Sequence, residues 1–169
     1  MTESSTCDGP LTLADCLRLV TQFHCQIKAP ECAGPSRLLP SDPAQASFYS
    51  KRFFDLSKEM ADYASGSNDQ LLGRAALAVE ELSEWLATHA ANDLIGAADA
   101  IADRLYVLLG DAVATGMPLD LLFEEVHRSN MTKLPFIQTG HGRGAKGPTY
   151  RRPDINRVLR EYERTTIRG

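Results

Sequence analysis

The run from Asp69 to Thr115, DQLLGRAALAVEELSEWLATHAANDLIGAADAIADRLYVLLGDAVAT, reads as two amphipathic helices joined by a short break. In the first, from about Asp69 to Ala90, Leu72, Ala75, Val79, Leu82 and Leu86 recur at three-and-four spacing and form a bundle seam. At 100° per residue Glu80, Glu81 and Glu84 fall on the opposite side, with Leu77 among them and Trp85 beside them. That second face is not purely polar, so it is expected to pack against something. The next helix, from about Asn92 to Thr115, repeats the arrangement. Leu94, Ala98, Ile101, Leu105, Leu108 and Ala112 face one way, and Asp99, Asp103 and Tyr106 the other.

Five carboxylates on two neighbouring helices admit two readings. As solvated faces they cost little, about 0.2–0.5 kcal/mol per like-charge pair. Partly buried and some 5 Å apart, each pair repels by roughly 3 kcal/mol at an effective dielectric near 20, and the cluster then needs cations. Because Leu77 and Trp85 make these faces partly apolar, Glu80, Glu81, Glu84, Asp99 and Asp103 are expected to bind metal. An all-oxygen set suits a hard divalent ion such as Mg2+.

Outward from this pair, the chain continues to read as helix. Thr12 with Asp15 has the form of a capping box, and Leu13, Leu17, Val20, Phe23 and Ile27 line one stripe, predicting a helix over about 13–28. Ala29 to Pro43 holds four prolines and a glycine and is read as a connection. Phe48, Phe53, Leu56 and Met60 predict a helix over about 44–64. After Gly116 and Pro118, Leu119, Leu122, Phe123 and Val126 begin another, whose stripe runs on to the polar Asn130 and Lys133. Four glycines between Gly140 and Gly147 mark a flexible basic loop, and a short helix is expected over about 153–165. Nothing asks for a β-sheet. The expectation is a single all-α domain, a helical bundle with a core over about 12–133, a glycine-rich basic flap over 134–154 and a closing helix.

At 169 residues the chain is long enough to bury a core without disulfides. Cys7, Cys16, Cys25 and Cys32 fit neither a zinc knuckle nor a Cys-x-x-Cys pair, and are read as reduced thiols. No apolar run approaches a membrane span and MTESSTCDGP lacks a basic leader region, so a cytoplasmic protein is expected. Ten of the eighteen Lys and Arg lie from His127 onward, with three of the twenty-two Asp and Glu. An acidic body with a basic tail argues against general nucleic-acid binding and suits a small anion held between metal-loaded acids and a flap. Glu124 and His127 make one Glu-x-x-His pair of the di-iron type, but those bundles need two.

Taken together, VEELSEW, ADRLYVLLG, LFEEVHRSNMTKL and GPTYRRPDI resemble the MazG-like all-α nucleoside triphosphate pyrophosphohydrolases, in the bacterial branch similar to dimeric dUTPases. The resemblance covers about Ala76 to Ile155. It implies Mg2+-dependent hydrolysis of a nucleoside triphosphate between the α and β phosphates, with Mn2+ as a substitute, and assembly as a homodimer or a dimer of dimers with the acids near subunit interfaces. Glu80 or Glu81, with Glu84 and Asp103, would be metal ligands. One glutamate not fully engaged by metal would position or deprotonate water. Asn130, Lys133, Lys146, Tyr150 and Arg151 match nucleotide-contacting positions. The family pattern is commonly Glu-x-x-Asp, where this chain has Ala100, and Asp99 is expected to supply the carboxylate instead. If it does not, the chain would be a catalytically weakened nucleotide-binding or regulatory protein. The base is not specified, with dUTP a first guess and nucleotide-pool housecleaning an alternative.

Overall fold

The computed structural model describes residues 10–134 and 144–166. They form six α-helices, α1 (Leu13–Ile27), α2 (Pro43–Ser67), α3 (Gln70–Ala90), α4 (Leu94–Thr115), α5 (Leu119–Asn130) and α6 (Ile155–Thr166). Among these residues the sole β pairing is an isolated antiparallel bridge between Leu134 and Ala145, so the fold is all-α. Local chemistry fixes the ends. Thr12 and Asp15 close a reciprocal capping box on α1. The carboxylates of Asp42, Asp69 and Asp93 accept from the first free amides of α2, α3 and α4. Asn68 and Gly116 end α2 and α4 in the left-handed conformation, at φ 55° and 66°. Helix α2 runs a turn further than its apolar pattern predicts, into Ser65–Ser67. Cys7 and the glycine-rich stretch over 135–143, with His141, lie outside the described residues.

The chain divides into two compact units. In Cys32–Gly116, α2 and α3 form an antiparallel hairpin and α4 packs on α3. The buried residues of α2 are Ser50, Ser57 and Ala64, and α3 sets Ala76 and Ser83 toward the interior. Both sets recur every seven residues, which keeps one face of each helix on the other. Small side chains let the backbones approach, and the Ser50 and Ser83 hydroxyls donate to each other's carbonyls at 2.8 Å, satisfying both where they are buried.

This seam corrects the sequence reading. Leu72, Ala75, Val79, Leu82 and Leu86 are only half-buried. In α4 the buried positions are Ala97 and Ala100, whereas Leu94, Ile101 and Leu108 are exposed. Close approach selects the small residues for the helix contacts, and the large apolar side chains are left half-buried or exposed.

In the second unit, built from the described residues up to Glu31 and from Met117 onward, α5 packs on α1 and on α6. Glu125, 3% exposed, joins α5 to α6: its carboxylate accepts from Arg128 at 2.6 Å, from Arg157 at 2.9 Å and from the Asp154 amide. These donors pull its pKa down to about 2, with the Arg128 hydrogen bond the largest cause.

Candidate functional site

Glu81 is the centre of the acid cluster. It is partly buried, and its Oε2 is shut off from solvent without a hydrogen-bond partner. Burial pushes its pKa up, and the charges of Glu84, Asp103, Glu80 and Asp99 push it the same way. The hairpin of α3 and α4 therefore sets all five predicted acids within electrostatic reach of one buried oxygen. Asp99 and Asp103 are both exposed, whereas Ala100 is 2% exposed. A side chain at position 100 points into the helix packing, where Asp99 and Asp103 do not.

Among the described residues, no three His, Cys, Asp or Glu side chains converge closely enough to hold an ion as they stand. Glu80 is turned to Lys58 on α2, whose Nζ donates to its Oε1 at 2.6 Å. The donor set nonetheless fits a hard divalent cation. It offers carboxylate oxygens only, and one of them is buried and unsatisfied. Beside it, Glu84 lines a cleft of ≈ 470 Å³ with Phe54, Lys51 and the Ser50 and Ser83 floor.

The predicted nucleotide-contacting residues belong to the other unit, where hydrogen bonds tie their two segments together. Leu134 and Ala145 exchange backbone hydrogen bonds, the Ser129 hydroxyl donates to the Arg151 carbonyl at 2.7 Å, and the Arg151 amide donates to Thr132 Oγ1 at 2.9 Å. Gln26 of α1 donates to the Met131 and Lys133 carbonyls, fixing the turn after α5. Asn130 and Lys133 thus share a neighbourhood with Lys146, Tyr150 and Arg151. Lys133 lies over Phe23, and Lys146 over the Tyr150 ring, with Nζ 5.1 Å from its centroid.

Trp85 and the histidines have neighbours of their own. Arg104 covers the Trp85 ring at 4.8 Å, and His89 meets it edge-on at 4.7 Å. His89 Nδ1 accepts from the Leu38 amide, which puts its proton on Nε2. His24 Nδ1 donates to the Pro30 carbonyl. Glu124 and His127 line a cleft of ≈ 810 Å³ with Arg18, and burial pushes the His127 pKa down.

Two residues escaped the sequence reading. Glu125 carries a readable signal, Arg128 three positions on, whereas Lys58 reaches Glu80 only through the hairpin register and leaves no local trace.

The fold and site define an all-α helical protein with five carboxylates on two adjacent helices. More narrowly, residues 51–130 match the family profile of phosphoribosyl-ATP pyrophosphohydrolase, a little under half of the chain. The matched stretch contains all five acids and ends at Asn130, ahead of Lys133 and the tail. It supports a pyrophosphohydrolase activity on nucleotides. No curated protein and no solved structure matches the chain.

Proposed function

We propose that the protein is a Mg2+-dependent nucleoside triphosphate pyrophosphohydrolase that cleaves between the α and β phosphates, releasing a nucleoside monophosphate and pyrophosphate. The observation that carries this reading is the buried, unpartnered oxygen of Glu81 amid four further carboxylates, in a segment similar to a pyrophosphohydrolase family. Glu80, Glu81, Glu84, Asp99 and Asp103 would hold the ion, with Mn2+ accepted in place of Mg2+. Bound there, a divalent ion supplies charge neutralisation and a Lewis acid at the phosphates.

The chain's own residues have separate tasks. Glu81, whose proton affinity is raised by its surroundings, or its neighbour Glu80, orients water and takes its proton. Asn130, Lys133, Lys146, Tyr150 and Arg151 contact the nucleotide. The lysines and the arginine offset charge that grows on the phosphate oxygens as the bond breaks.

The substrate class is a triphosphate ester, and phosphoribosyl-ATP is one member of it. The tail lies outside the matched stretch, so the choice of base is left to the chain's own residues, and dUTP remains the first guess. The functional unit is a homodimer or a dimer of dimers. A pyrophosphate-release screen with Mg2+ over the eight common nucleotides, dUTP and phosphoribosyl-ATP tests the reading. Release from at least one is expected, and none from any would overturn it.

A further inference from the structure

Lys58 has no part in the chemistry above, yet it is the one cation ion-paired to the acid cluster among the described residues. Its Nζ sits 2.6 Å from Glu80 Oε1 and 4.8 Å from the centre of the Phe54 ring, so the ammonium is held between a carboxylate and an aromatic face. The pair spans α2 and α3, whose register is locked by the reciprocal bonds of Ser50 and Ser83. This is a built position, one turn of α3 from Glu84 and adjacent to Glu81.

We infer that Lys58 is an internal counter-ion of the ion-free site, which an arriving divalent cation displaces from Glu80. The inference rests on the reading that the acids take such an ion. Glu80 cannot turn its full charge to a metal and to the ammonium at once, and the lysine is the mobile partner: its side chain is half exposed and its stem can swing into water. Lys58 thereby relieves repulsion when the site is empty and lowers its affinity for metal. Affinity is traded for a folded, ready site.

The test is calorimetric titration of the full chain with Mn2+ at low ionic strength, for wild type, Lys58→Met and Lys58→Arg. Thermal melts in chelator and at saturating Mn2+ accompany it. Loss of one exposed pair corresponds to about two- to fivefold, so Lys58→Met should bind Mn2+ tighter by that factor and Lys58→Arg as wild type does. Lys58→Met should melt lower than wild type in chelator, and the gap should close at saturation.

If wild type binds Mn2+ and Lys58→Met binds it equally or more weakly, the counter-ion role is wrong and the metal site stands. A melting deficit of the same size with and without Mn2+ would make Lys58 a plain structural tie. If neither protein binds Mn2+, both this inference and the metal reading fall.

Discussion

Glu81 carries a burden that its neighbours do not. Its buried oxygen lacks a partner, and burial and the charges of four nearby carboxylates act together, so the folded protein holds its proton to higher pH than the unfolded chain does. The sign follows directly. In chelator, stability falls as pH rises from the ordinary glutamate value, 4.5, toward the raised one, because ionisation is then harder in the folded state. Glu81→Gln removes this loss, so its melting temperature in chelator should exceed that of wild type at pH 7 and converge with it on acidification. The same substitution should weaken Mn2+ binding by about tenfold or more, since it deletes a charged ligand. Equal melting temperatures at pH 7 together with unchanged Mn2+ affinity would remove Glu81 from the centre of the site. The acids were legible in the sequence because four-residue spacing on a helix puts side chains on one face. Lys58 was not, because 22 residues separate it from Glu80 and only the hairpin joins them.

At the scale of elements, helix positions were legible and helix faces were not. Caps and breakers such as Thr12, Asp15 and Gly116 speak through local chemistry, so the six helices fall close to the expected stretches. Which side each helix buries depends on its neighbour. Leucine periodicity pointed to Leu72–Leu86, whereas the α2 contact runs through Ser57, Ala76 and Ser83. Hydropathy does not flag serine as core, yet close backbone approach requires residues of that size. Ser83→Leu should therefore overpack the hairpin and cost about 1–3 kcal/mol in denaturant unfolding, whereas Leu71→Ser, at a position 79% exposed, should cost little. In the other unit Glu125 ties α6 to α5, and its sign is opposite to that of Glu81. Its contribution is present above the ordinary glutamate range and is lost as pH falls toward about 2. Glu125→Gln leaves Arg128 without its charge partner and Arg157 with Glu161 alone, and should cost about 3 kcal/mol at neutral pH. An unchanged urea midpoint would show that α6 is held by other contacts.

For the whole molecule, the telling feature is apolar surface. Ile95, Tyr106, Leu109 and Val113 follow one another along an exposed stripe of α4, with Ile95 and Val113 84% and 83% exposed. Asp99 lies on the same stripe, seven residues before Tyr106. We propose that this stripe meets another copy of the chain, which places the acids beside a subunit interface. Val113→Lys should shift the protein toward monomer in light scattering at micromolar concentration, and a monomeric wild type would refute the proposal. Among the described residues no single helix is long and apolar enough to cross a membrane. The central proposal is that this chain, with a divalent ion, cleaves a triphosphate at one bond. Its most direct test is product analysis of a substrate identified in the screen, incubated with wild type and with Glu81→Gln, in Mg2+ and in chelator. Equal amounts of monophosphate and pyrophosphate are expected from wild type in Mg2+ alone. Diphosphate with inorganic phosphate as the products, or the same yield in chelator or from Glu81→Gln, would contradict it.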